Sequence, residues 1–542
     1  MDGKTRPLYN RHSCQLMNLS RLTRGLVAAL NHRSSIAPEQ GGDKIVISRT
    51  VSAMAVLYER IRVAMEYKEE HILRRSAIER IIKRRLMLNE NGRNVSEHLL
   101  KELLWAQYIP ENSISIKMIS VVQKTIDKYI FLRNEIGRRR KSTLKGTIHE
   151  WLISTCAAEI EEKLVPDTKR EAFINFIFQY YRDKVFLKDE DDETKEIQVY
   201  IAVHRAFAKS DNDLIRYELL KLSYPDLLKK TWMDLNDETS AIYTQLTDIN
   251  THLSHEIGSK MTRAIKKEIA PFLIMQDIYE SKPDEFVSIL EDEKQLEHHV
   301  DVICKKRYEE IGKKLARAGV RSVIYIFLTK MVFAIGLEYP FDKYIVGEFN
   351  YIALGINTLF PPILMAMALA GNSPPGQDNT KRVIARIKEI VYQESTGDQR
   401  ISLTLKTPKM NPVLSIAFSI LYVVAFLLVF GSIVWLLTLL KFNLASMAIF
   451  IFFVTVVVFF AYRVRQLGRE YILRRRESLL SPIVNFFLLP ILNVGKWLSN
   501  EVAKINVLIA FFDFVIEAPF KAIFGIFEEW FSFMRSKKEE II

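Results

Sequence analysis

The chain has 542 residues, 76 Lys and Arg against 64 Asp and Glu, a formal charge of +12, and a hydrophobic fraction of 49%. Glycine (20) and proline (17) fall below ordinary usage, which points to long helices joined by short connections, and no GxGxxG or GxxxxGK[ST] run offers a phosphate cradle. Cys14, Cys156 and Cys304 are far apart with no CxxC spacing, which excludes a disulfide framework of the small secreted kind and fits a reducing compartment.

From Gly3 to Pro38 there is no acidic residue, while Lys4, Arg6, Arg11, Arg21, Arg24 and Arg33 are basic. Leu16, Leu19, Leu22 and Leu26 add an amphipathic turn or two, and residues 1–45 read as a flexible basic arm. The composition is also that of a mitochondrial transit peptide.

Residues 46–318 read as a cytoplasmic helical domain. Val51, Met54, Leu57, Ile61 and Met65, then Ile78, Ile81, Ile82 and Leu86, recur near the 3.6-residue period and predict a helix over 48–89, closed by Asn89-Glu90-Asn91-Gly92. Further helices are expected near 95–108, 115–136, 147–164, 168–187, 193–209 and 211–222, with Pro110, Pro166 and Pro225 between them and Asp167 and Asp211 as N-caps. A stripe of Ile242, Leu246, Ile249, Leu253, Ile257, Met261, Ile265 and Ile269 predicts one long helix, buried in its own bundle or docked on a partner protein or second copy. Its spacing drifts from a strict heptad, so no long coiled coil is specified.

Two basic clusters in this domain invite phosphate, of anionic lipid headgroups or, less favoured, of nucleic acid: Arg74, Arg75, Lys83, Arg84 and Arg85, and Arg138, Arg139 and Arg140. A solvated helix face is the plainer account of such runs. His252, His255 and Glu256 have i, i+3, i+4 spacing on a helix, but no third zinc-type partner is visible and the order is not HExxH. No catalytic motif is found, so no enzyme activity, cofactor or metal is expected.

The membrane part begins at 319. Val323–Leu337 is apolar except for Lys330, a polar turn follows at Glu338–Lys343, and the chain is uncharged from Phe349 to Gln377. This predicts a first hairpin over 319–372, with Pro361-Pro362 interrupting its second helix and Lys330, Glu348 and Asn357 as intramembrane polar candidates. Lys330 is expected either to pair with Glu348 within the membrane or to snorkel from an interfacial helix.

After a cytoplasmic linker over 373–409, with a helix near 379–393 and a strand near 400–406, comes a second hairpin over 410–462. Met410–Leu440 and Phe442–Tyr462 carry no charge, and together they are far longer than a hydrocarbon core of about 30 Å. The chain therefore turns near Lys441-Phe442-Asn443. Arg463, Arg465, Arg469, Arg474, Arg475 and Arg476 follow, the last three as further lipid-headgroup candidates, and Lys and Arg likewise bracket the first hairpin. Positive charge marks the cytoplasmic side, so both hairpins open to the cytoplasm and both termini are placed there. Residues 463–542 read as a basic juxtamembrane segment followed by amphipathic interfacial helices, aromatic-rich over 506–534.

The sequence thus specifies an all-α, polytopic membrane protein with about four spans in two hairpins and a large N-terminal helical domain, in a bacterial-type plasma membrane or, alternatively, a mitochondrial inner membrane. The expected function is a non-enzymatic membrane scaffold or docking protein. The alternatives are a small-solute or ion pathway through the first hairpin, and a membrane-tethered nucleic-acid or ribosome binder.

Overall fold

Helices account for nearly all the regular structure. The computed structural model describes residues 19–34, 43–45, 70–88, 92–111, 113–139, 145–187, 191–341, 343–344, 351–370, 375–393, 401–403, 412–466, 470–473 and 481–504. In chain order the elements are α1 (Arg21–Ser34), α2 (Glu70–Leu88), α3 (Val95–Trp105), α4 (Lys117–Arg139), α5 (Lys145–Leu164), α6 (Thr168–Lys184), β1 (Val185–Leu187), α7 (Asp192–Ala206), α8 (Asn212–Ser223), α9 (Thr239–Leu253) and α10 (Glu256–Lys266). They continue with α11 (Ala270–Ser281), α12 (Phe286–Glu291), α13 (Glu293–Phe333), α14 (Tyr351–Ala370), α15 (Gln377–Tyr392), β2 (Ile401–Leu403), α16 (Pro412–Leu439), α17 (Leu444–Gln466) and α18 (Ser481–Lys504).

The chain divides into two compact units. One is built on Arg21–Ile265 and Ser395–Leu405, the other on Lys266–Glu394 and Lys406–Ala510. The division falls within the stretch 46–318 that the sequence suggests is a single helical domain.

In the first unit, Leu99, Leu100 and Leu103 of α3 pack with Val122 and Ile126 of α4 and Leu152 of α5 in one apolar core. Asp167 caps α6 by accepting from the Arg170 amide at 3.0 Å, and Asp211 caps α8 through the Leu214 amide at 3.0 Å, as their positions lead one to expect. Gly92 turns the chain between α2 and α3 with φ +66°, where a Cβ would lie 2.2 Å from Ile130 Cδ1. That positive φ is the conformation that favours glycine. α6 ends at Lys184, and β1 runs parallel to β2 with Val185 opposite Ile401 and Leu187 opposite Leu403. The alternation near 400–406 foretells β2 but not its partner.

Residues 46–69 lie outside the described part, and the described portion of the helix expected over 48–89 is α2, Glu70–Leu88. Two expectations need correction here. The arm is not wholly flexible, because α1 buries Leu26, Val27 and Leu30. The long stripe is cut at Ser254-His255 into α9 and α10, although Ile242 through Ile269 are all buried. The cause is local hydrogen bonding. Ser254 Oγ donates back to the Asn250 carbonyl at 2.8 Å, while His255 Nδ1 accepts from the Ile257 amide at 3.3 Å and starts the new helix. His252, His255 and Glu256 therefore do not share one helix face.

In the second unit, α13, α14, α16 and α17 are long and apolar enough to cross a membrane. α13 runs unbroken for 41 residues, about 62 Å at roughly 1.5 Å per residue. A π-helical stretch, Ala334–Glu338, and a final turn, Tyr339–Phe341, extend it. α14 continues through Pro361 and Pro362 rather than breaking there. Both prolines are buried in the packed helix, which tolerates the two lost N–H groups as membrane-type helices do. α16 and α17 meet at the expected turn. Lys441 adopts φ +55°, the Phe442 amide donates to the Leu437 carbonyl at 3.0 Å, and Asn443 Oδ1 accepts from the Ser446 amide at 2.8 Å to start α17. α18 lies so close to α17 that a Cβ on Gly495 would be 2.6 Å from the Thr455 carbonyl oxygen.

Candidate functional site

Lys330 lies on the packed face of α13 with Leu315, Gly319 and Ile326, close to helical spacing, and its side chain is 0% exposed. Its ammonium donates to Glu338, also 0% exposed, and lies 4.8 Å from the centre of the Phe453 ring on α17. Lysine and glutamate are eight residues apart on one continuous helical run, and the π-helical turn between them alters the register of the second. Among the described residues the partner of Lys330 is Glu338, the last residue of the π-helical stretch; Glu348, with which pairing was expected, lies outside them. Lys330 does not snorkel, since burial and a short-range partner hold it inside.

Asn357, on α14 and fully buried, donates through Nδ2 to the Ser446 carbonyl at 3.4 Å. The polar contacts to α17 therefore fall at Ser446 and near Phe453, about two helical turns apart. Among the described residues, Glu338 Oε2 and Asn357 Oδ1 are buried acceptors without a hydrogen-bond partner. α14, α16 and the Leu444–Tyr462 part of α17 contain no Asp, Glu, Lys, Arg or His. The Lys330–Glu338 pair is the charged centre of these packed helices. It can hold complementary charge, accept a further donor at Glu338 Oε2, and fix the π-helical turn.

The first basic cluster is structural. Arg74 donates to Glu161 at 2.8 Å, Arg75 to Glu79 at 2.8 Å and to Asp211, Lys83 pairs with Glu79 at 2.7 Å, and Arg84 and Arg85 share the buried Glu102. Arg74 and Arg75 are 7% and 3% exposed. Arg138 remains exposed, 3.5 Å from Glu135. The side chain of Arg139 and all of Arg140, Arg474, Arg475 and Arg476 lie outside the described part.

Glu162, Glu171 and Glu218 are the acidic group close enough to share a cation among the described residues. Lys221 occupies that role, with its Nζ 2.6, 3.4 and 3.8 Å from the three carboxylates. Burial pushes the Glu218 carboxyl up to about 7, against the pull of Lys221 and with Glu162 and Glu171 adding to the rise. Its folded value exceeds its unfolded one, so the native state binds the extra proton, and stability rises as pH falls from about 7 toward 4.5. Replacing Glu218 with Gln should remove that slope, worth up to about 3 kcal/mol. Thermal unfolding of the full chain in detergent, compared with wild type across that range, reads it; parallel pH curves would refute it.

No family model matches the chain, and comparisons with curated proteins and with solved structures find no match.

Proposed function

We propose that the protein is a membrane-anchored scaffold whose helical unit, Arg21–Ile265, is the docking part. The observation that carries this reading is the unbroken course of α13 from a charged, heavily cross-linked region into an apolar span. In that region Arg307 Nε donates to Asp277 of α11 at 2.6 Å, and Arg386 of α15 pairs with Glu268 at 2.9 Å. The buried Asn379 donates to Tyr308 and to the Tyr471 carbonyl, both at 2.7 Å, and accepts from the Leu473 amide at 2.9 Å. These bonds join α11, α13, α15 and the chain after α17 within one unit, which supports an anchoring base rather than alternating movement of the spans. Both hairpins open to the cytoplasm in this reading, because Lys and Arg bracket each of them.

Reporters fused at Pro340 and Lys441 should read non-cytoplasmic, and one at Asn372 cytoplasmic. Cross-linking with mass spectrometry in native membranes should then place links to other proteins on surface lysines of Arg21–Ile265, such as Lys101, Lys117 and Lys229. A cytoplasmic signal at Lys441, or links confined to the spans, would overturn the proposal.

A second reading, an ion or small-solute pathway through the first hairpin, is favoured by the two buried acceptors, Glu338 Oε2 and Asn357 Oδ1, that lack partners among the described residues. The unbroken course of α14 through Pro361-Pro362 takes away the interrupted helix that motivated it from sequence. The basic cluster at 74–85, which motivated nucleic-acid binding, is engaged within the fold.

A further inference from the structure

α13 carries seven basic residues between Lys305 and Arg321, of which Lys306 is exposed. Lys305 pairs with Asp301 at 2.6 Å, and Arg307 is committed to Asp277 and Glu310. Lys313, Lys314, Arg317 and Arg321 are exposed, and no acidic partner is recorded for any of them among the described residues. At about 100° per residue, these four fall within an arc of roughly 100° on the helix. The nearest acids on α13, Glu309 and Glu310, lie about a turn further from the apolar half, and Glu310 is taken by Arg307.

The same face changes character one residue group later. Ile324, Tyr325, Leu328 and Val332 continue it and are 53%, 70%, 56% and 69% exposed. The opposite face, with Leu315, Gly319, Ile326 and Lys330, is the one packed against other helices. One helix surface is thus cationic over about 12 Å and then apolar, with Tyr325 at the change. An apolar face left open to acyl chains puts the cationic stretch at headgroup depth, where aromatic and basic residues anchor helices.

We infer that Lys313, Lys314, Arg317 and Arg321 form a binding face for the phosphates of anionic lipid headgroups. The inference rests on α13 spanning the membrane and is independent of the scaffold reading. Each cation near an anionic leaflet contributes the equivalent of about a fivefold preference. Arginine adds paired donors to phosphate oxygens, which lysine supplies as a point charge.

The test uses the full chain in phosphatidylcholine vesicles containing phosphatidylglycerol. Spin-labelled forms of the two lipids report, by electron paramagnetic resonance, which is immobilised at the protein surface. Wild type should immobilise phosphatidylglycerol preferentially and lose part of that preference as salt rises. The variant K313Q/K314Q/R317Q/R321Q should lose at least about fivefold of it, while R317K/R321K, which keeps the charge, should retain most. All four positions are exposed, so helicity and insertion should not change, and circular dichroism checks this. Equal preference in wild type and the glutamine variant, or none in wild type, overturns the inference.

Discussion

Replacing Glu338 with leucine is expected to destabilise the packed spans by about 3–5 kcal/mol, whereas Lys330→Leu combined with Glu338→Leu should restore much of the loss. The asymmetry follows from burial. Lys330 and Glu338 are each 0% exposed, so removing the carboxylate leaves a buried ammonium whose remaining neighbour of complementary charge, among the described residues, is the Phe453 ring. A cation over a ring is worth a fraction of a desolvated ion pair. Removing both charges exchanges the pair for apolar contacts in an already apolar setting, which is often neutral or stabilising. Thermal unfolding of the full chain in detergent, compared over wild type, Lys330→Leu, Glu338→Leu and the double variant, gives the coupling between the two positions. A double variant as unstable as Glu338→Leu would mean that the site needs charge for more than packing. Reconstituted into vesicles, a solute pathway would show flux in wild type that Lys330→Leu abolishes. Absence of flux in both is the outcome that the scaffold reading requires.

The sequence made some of this structure legible because the relevant forces are local. Uncharged runs longer than one span force a turn, and Lys441-Phe442-Asn443 provides it. Asp167 and Asp211 sit where helices need a side-chain acceptor, and both are caps. Other features depend on residues far away in the chain. Arg74, Arg75, Arg84 and Arg85 look like a basic patch in sequence, but besides the local Glu79 their acids include the distant Glu161, Asp211 and Glu102. The clue was available in part, because Glu161 and Glu102 fall among apolar residues on their helices, but pairing them takes the tertiary fold. The Lys330 partner was missed for a different reason. An i to i+8 pair is too far apart on a regular α-helix to be a usual expectation, and the π-helical turn that changes the register has no sequence signature of its own. The break in the 242–269 stripe is a case of hydroxyl and imidazole groups outweighing a well-phased apolar pattern.

The second large effect is expected at Glu159. This carboxylate is 0% exposed and accepts from four donor contacts: Lys128 Nζ at 2.7 and 2.8 Å, Tyr129 Oη at 2.8 Å, and Lys163 Nζ at 2.6 Å. Lys128 is 2% exposed, and besides Glu159 it meets the Leu227 carbonyl at 3.1 Å and the Tyr129 ring, 5.2 Å to its centre. Burial pulls the Lys128 ammonium below its ordinary range, and Glu159 opposes that pull. Glu159→Ala therefore strands a buried cation and a buried phenol together, at a cost of about 3–5 kcal/mol. Lys128→Met should cost much less, about 1–3 kcal/mol, because Glu159 still holds Lys163 and Tyr129 and the methionine refills the space. Amide hydrogen exchange on the full chain in detergent separates local from global effects. Glu159→Ala should speed exchange in α4 and α5 while α16 and α17 keep wild-type protection. If Lys128→Met loosened α4 and α5 as much as Glu159→Ala, the carboxylate would not be the centre of the network, and the bond between α4 and α5 would have to be assigned to the lysine instead.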